Sequence, residues 1–226
     1  MRLPWIAIGP VAAACALLTA CVGGRPIHYY TINHPAIAVA APKPDGPVLV
    51  IGRITTPEAL QDGRIRYRVG SNEVGAYEYH RWTERPSAMV QDLLLQALRA
   101  SGRCRQVLEA SSTAEGDYRV RGRLREFAEI DDPGIQTRVS LRLELVDRKT
   151  GAVIWDRDYN RDAPVDGKTM NAVVLSMEQN LHVVIGEAAS AIAAAAADRA
   201  NGKSAPAVAG FDPQSPDSRR SARRRQ

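Results

Sequence analysis

Hydrophobic and polar positions alternate most cleanly between Val139 and Leu145. Val139, Leu141, Leu143 and Leu145 fall on one side of an extended chain, and Ser140, Arg142 and Glu144 on the other. Successive strand side chains point to opposite faces, so the pattern predicts one covered and one solvated face, the habit of antiparallel sheets. Asp147-Arg148-Lys149-Thr150-Gly151 reads as a turn into another strand, Ala152 to Tyr159. A preceding strand lies within Asp117 to Phe127, with Tyr118, Val120 and Leu124 on one side. Together these predict a meander. Upstream, the apolar run Val48-Leu49-Val50-Ile51 predicts a buried strand. Leu60 to Val69 crosses a turn at Gln61-Asp62-Gly63 into Ile65, Tyr67 and Val69, which alternate with Arg64, Arg66 and Arg68. Val74 to Trp82 follows as an aromatic-rich strand.

Two stretches carry the helical period. Pro86-Ser87 open the first, and Met89, Val90, Leu93, Leu94, Ala97 and Leu98 share one face before Ser101-Gly102 end it. The second starts near Gly167-Lys168. Its stripe runs through Val173, Val174, Met177, Leu181, Val184, Ile185, Ala188 and Ile192 and grades into Ala193 to Ala197. Strands, helix, strands, helix predict an α+β domain over residues 48–200, a mostly antiparallel sheet with both helices packed on one face. No internal repeat is visible.

The flanks are of a different kind. Residues 1–20 have a basic start at Arg2, an apolar stretch from Trp5 to Leu18 and small residues before Cys21. That is the plan of a secretory signal, and the apolar stretch falls short of the roughly 20 residues of a membrane span. Leu18-Thr19-Ala20-Cys21 resembles the bacterial lipobox. The resemblance implies cleavage before Cys21, a diacylglyceryl group on its sulfur and an acyl group on its amine, with no other cofactor. The alternative is an ordinary signal peptide with Cys21 incidental. Val22 stands where an Asp would resemble an inner-membrane retention signal, so the expectation is a periplasm-facing lipoprotein of the cell envelope, on the outer membrane rather than the inner. Residues 21–47 read as a Pro-rich tether, with strand-like composition from Ile27 to Ile32. Residues 201–226 read as a disordered basic tail ending in Arg-Arg-Arg-Gln. Such a tail would serve weak contact with peptidoglycan or anionic lipid, or only solubility.

Charge sharpens that division. The formal net charge of +5 comes from the ends: residues 21–200 hold 23 basic and 23 acidic groups, and the tail holds six basic and two acidic. A neutral body argues against nucleic acid as a partner. After cleavage before Cys21, and with lipid on that residue, Cys104 would be the only free cysteine and could form no disulfide within the chain.

Candidate chemistry is sparse. No His-x-Glu, His-Glu-x-x-His or Cys-x-x-Cys spacing signals a metal, and no Gly-x-Ser-x-Gly elbow or phosphate-cradling loop signals an enzyme. Asp131-Asp132 precede Pro133-Gly134 and read as a turn. One segment stands out: Tyr77, Tyr79, His80, Arg81 and Trp82 cluster in a chain only 5% aromatic. Such density supplies either packing against the first helix or a recognition surface.

Glu73-Val-Gly-Ala-Tyr-Glu-Tyr-His-Arg-Trp-x-Glu-x-Pro86, followed by an amphipathic helix ending Leu-Arg-Ala-Ser-Gly, resembles the ABC-type transport auxiliary lipoprotein family. Tyr29-Tyr30-Thr31, the run from Ile54 to Pro57, and Asp117-Tyr118-x-Val-x-Gly-x-Leu-x-x-Phe127 agree with it. The resemblance covers residues 27–198. It implies a non-enzymatic accessory subunit that docks on the periplasmic mammalian-cell-entry-domain subunit of an ABC transporter. The cargo implied is phospholipid or another hydrophobic molecule moving between envelope membranes. Tyr77, Tyr79, His80, Arg81 and Trp82 become candidate partner-binding residues or their support. The competing reading is a structural or assembly lipoprotein of the outer membrane or cell wall.

Overall fold

The computed structural model describes residues 25–34, 38–110, 115–131 and 133–202. Residues 1–24, with the signal segment and Cys21, lie outside them, as do residues 203–226 of the basic tail.

Among the described residues, eight strands and two helices form an α+β fold. The strands are β1 (His28–Tyr30), β2 (Val48–Thr55), β3 (Arg64–Val69), β4 (Glu73–Trp82), β5 (Gln106–Glu109), β6 (Tyr118–Asp131), β7 (Ile135–Asp147) and β8 (Val153–Pro164). A 3-10 turn at Glu58–Leu60 precedes β3. Helix α1 spans Pro86–Ala100 and α2 spans Met170–Ala200. Strand β6 organises the sheet. One edge pairs with β7 along its whole length, antiparallel, and β7 pairs in turn with β8. The other edge is shared. Tyr118 to Arg123 pair with β2, which carries β5, whereas Ala128 to Asp131 pair with β3, which carries β4 and then β1. The expected meander is present as β6–β7–β8, and the longest pairings are antiparallel. The shorter pairings β1–β4, β2–β5, β2–β6 and β3–β6 are parallel, so the whole sheet is mixed.

The helices cover one face. Val139, Leu141, Leu143 and Leu145 are fully buried there, facing Phe127, Leu124, Gly122 and Val120 across the β6–β7 ladder. Helix α1 lies over β2 and β5, α2 lies over β7 and β8, and the two helices touch. Pro86 occupies the first turn of α1, where a missing N–H costs nothing. Thr169 caps α2 by accepting the Ala172 N–H at 3.2 Å. By length and composition α2 could cross a membrane. It is the core helix of this domain instead, burying Met177, Leu181, Ala188 and Ile192 against the sheet. Polar pins set its register: Asn180 Nδ2 donates to the carbonyls of Thr137 (3.0 Å) and Arg161 (3.1 Å), and Ser176 donates to Pro164 O (2.9 Å).

Much of the stretch that reads as tether is built onto the domain. Residues 28–30 form β1, and Ile32 is 3% exposed in the core. Farther on, Ala40 N–H donates to Ala100 O and Lys43 N–H to Cys104 O, so this segment runs along the α1–β5 connection. Gly102 makes room for it. Its φ is +63°, and a Cβ there would sit 2.6 Å from Ala40 Cβ. Cys104 is buried beneath, its thiol pushed up to about 11 by burial, as befits a small apolar core residue.

Candidate functional site

The aromatic stretch predicted as a recognition surface lies on β4, and its ladder explains why it is irregular. Arg64 on β3 pairs with Arg81, yet Arg66 pairs with Ala76, so β4 bulges between these points. A bulge re-aims side chains. Tyr77 consequently turns toward Tyr67, with ring centroids 5.0 Å apart, and its hydroxyl donates to Glu129 Oε2 at 2.9 Å. Trp82 points into the core, 3% exposed, with its ring 5.3 Å from Phe127.

Strand β1 completes the arrangement. It lies parallel to β4, with His28 opposite His80, Tyr29 opposite Arg81 and Tyr30 opposite Trp82. The His28 and His80 rings stack at 5.4 Å, and His80 also meets the Tyr77 ring edge-on at 5.8 Å. The Tyr30 hydroxyl lies 2.9 Å from His80 Nδ1. Beyond β1, Asn33 closes a clasp on α2. Its backbone and side-chain N–H groups donate to Glu178 Oε2 at 2.7 and 3.0 Å, and its carbonyl meets His182 Nε2 at 2.8 Å. Outside the clasp, Tyr29 is 62% exposed, and the Arg25 guanidinium sits 5.8 Å above the Tyr79 ring.

Burial shifts the inner groups toward their neutral forms. Burial, aided by the hydrogen bond to Glu129, holds the Tyr77 hydroxyl protonated well beyond the ordinary tyrosine range. Burial raises Glu129, the Tyr77 hydrogen bond opposes that rise, and Asp131 adds to it. Burial lowers His80, and the neighbouring His28 acts in the same direction. With the imidazole proton on Nε2 the Tyr30 hydroxyl donates to Nδ1, and with the proton on Nδ1 the ring donates to the hydroxyl. The two bonded pairs, Tyr30–His80 and Tyr77–Glu129, satisfy each other within the packing. Among the described residues no three His, Cys, Asp or Glu side chains converge as a metal set.

Of the five candidates, the structure therefore divides inside from outside. Trp82 is core, whereas Tyr77, Tyr79, His80 and Arg81 are all half-buried, with Tyr77 and His80 the two whose polar groups are bonded within the cluster. Cys21 lies outside the described residues. The segments Tyr29-Tyr30-Thr31 and Tyr77-Glu-Tyr-His-Arg-Trp82, about fifty residues apart in the chain, are partners across one ladder. Tyr67 and Glu129 complete the cluster, and only the placing of tyrosines on facing strands could have hinted at them.

The match to known families agrees with this geometry. The model of the ABC-type transport auxiliary lipoprotein component matches residues 30–189, from the middle of the β1 motif into α2. The chain belongs to this family of envelope lipoproteins. Among solved structures, this auxiliary lipoprotein resembles protein XCC0632 from Xanthomonas campestris, assigned there to the family model DUF330. The TM-score is 0.70 at 18% identity, covering 77% of this chain and 99% of that one. A second solved structure, described as an uncharacterized protein, gives a TM-score of 0.60 at 14% identity, covering 74% and 99%. At such identities the likeness speaks for the fold. No curated protein matches the sequence significantly.

Proposed function

We propose that this lipoprotein is anchored through lipid on Cys21 and serves as a docking subunit for the periplasmic mammalian-cell-entry-domain component of an ABC transporter. Its cargo would be phospholipid or another hydrophobic molecule, and its membrane the outer one. Family membership supplies the transport association. The observation that carries the docking role is the seating of β1 on β4. Six residues, Val22 to Ile27, separate Cys21 from the first residue of β1. Seven extended steps span about 25 Å at most. An anchor on Cys21 therefore holds the domain close to its membrane by a built-in strand, and the spacer adds little reach. The layer between sheet and helices is filled by fully buried Leu, Val and Ile side chains, so cargo has no room inside it. That supports a docking part over a carrier.

The test is a pull-down from detergent-solubilised envelopes with the wild type, with Cys21→Ser and with Tyr29→Ser/Tyr79→Ser. The reading expects a mammalian-cell-entry subunit with the wild type, loss of membrane association with Cys21→Ser, and weaker capture by the tyrosine variant with its fold intact. Recovery of cell-wall or outer-membrane assembly proteins in place of a transporter subunit would replace it with the assembly reading.

A further inference from the structure

The face of the sheet away from the helices carries a feature that the docking role leaves unused. An open groove of about 850 Å³ runs over the first half of β6, between β2 and β7. Arg53, Arg119, Arg121, Arg123, Arg142 and Arg148 line it together with Glu144 and Asp147, and Asp156 and Asp158 of β8 also hold Arg142, at 2.8 and 3.2 Å. Both lining acids are already engaged. Glu144 binds Arg121 at 2.6 Å and Arg142 at 3.2 Å. Asp147 accepts the N–H groups of Lys149 and Thr150 and lies 3.6 Å from Arg199. Arg53, Arg119, Arg123 and Arg148 are exposed and have no carboxylate partner among the described residues. Like charges held together without counter-charge leave a standing positive potential, in a body that is neutral as a whole.

The arrangement of these cations identifies what they fit. Arg119, Arg121 and Arg123 occupy alternate positions on one strand, so their stems stand about 6.7 Å apart in a line. An extended polypeptide presents its own alternate side chains at the same interval. A phosphate site instead gathers several donors around one point, as bidentate arginines do. The groove ends at Arg123, about 17 Å along β6 from Ala128, where the pairing with β3, the branch that ends in β1, begins. The chain's own C-terminal segment is basic and cannot neutralise it. We propose that this groove binds an extended acidic segment of a partner protein, with carboxylates at every second residue facing Arg119, Arg121 and Arg123, the one at Arg121 taking the place of Glu144. The proposal stands apart from the transport reading: the pull-down asks which complex the protein joins, and the groove asks which chemistry this face recognises.

The experiment uses the full lipidated chain in detergent micelles and a fluorescein-labelled decapeptide of alternating Glu and Thr. Its comparators are a block isomer of the same composition and vesicles containing phosphatidylglycerol. Anisotropy titrations should show saturable binding of the alternating peptide, weakening with salt and at least about threefold tighter than the block isomer. Arg119→Glu/Arg123→Glu should weaken it at least about tenfold with an unchanged melting temperature. Should that pair misfold, Arg119→Gln/Arg123→Gln should still lose about threefold. Four results overturn the proposal: no binding by the wild type, equal binding by the folded variants, equal binding of the block isomer, or variants that lose vesicle binding while keeping the peptide. The last would make the groove a headgroup surface.

Discussion

The two ends of β6 face opposite tasks with opposite materials. Its last residues border β3, the branch that carries β4 and then β1, where aromatic rings stack and hydroxyls are spent on Glu129 and His80. Its first residues border β2 and β7, where arginines project into water and four lack a counter-ion among the described residues. The contrast teaches that density of unusual residues does not by itself mark a contact surface. The aromatic stretch is conspicuous in the chain, yet half of it is spent on holding a bulge and seating β1. The arginines are inconspicuous in the chain because acids elsewhere balance them.

Breaking the aromatic end should cost stability, and most of all at Trp82. Trp82→Ala removes a ring packed on Phe127 and should cost about 3–5 kcal/mol in urea denaturation. A loss under about 1 kcal/mol would mean the ring is not core. Tyr77→Phe leaves the buried Glu129 carboxylate without its donor, and about 1–2 kcal/mol should go at neutral pH.

Glu129 sharpens the same point through pH. Its carboxyl is raised in the folded chain, so its favourable contribution is complete below the ordinary glutamate value of about 4.3 and is lost as pH rises through the folded value. Glu129→Gln keeps an acceptor for Tyr77 and removes the titration. Denaturation curves should therefore coincide for wild type and variant near pH 4. The variant should become the more stable of the two as pH rises toward 7–8. The opposite sign would show a carboxylate stabilised in the fold. At the arginine end, Arg123→Ala should move stability by no more than about 0.5 kcal/mol, since its side chain is exposed and unpaired. A larger loss would mean the groove is structural.

How far the amino-acid pattern reveals this molecule follows from the range of the forces. Strand β7 and both helical stripes are evident because burial imposes a local period, two for the strand and 3.6 for the helices. Pairing partners leave no such period. The seating of β1 on β4, the split edge of β6 and its parallel neighbours all join residues tens of positions apart. Tyr29 to Thr31 can be recognised as a motif without any sign of where it lands. The bulge in β4 is equally silent, because alternation on paper places Tyr77 opposite His80, whereas the bulged strand brings their rings into contact. Pro-rich residues 40–47 suggest reach, yet backbone hydrogen bonds at Ala40 and Lys43 tie them down.

Three-residue β1 also decides how the protein responds to mechanical load. Any pull on the chain ahead of it enters the fold at His28, through a short strand that, among the described residues, pairs on one side only. Past that ladder the force meets Ile32 in the core and then the Asn33 clasp on Glu178 and His182. Strand β6 and the helices come later along the chain. Under tension the domain should yield in that order, peeling an N-terminal leash of a few residues while the body stays shut, so that β1 works as a shear pin.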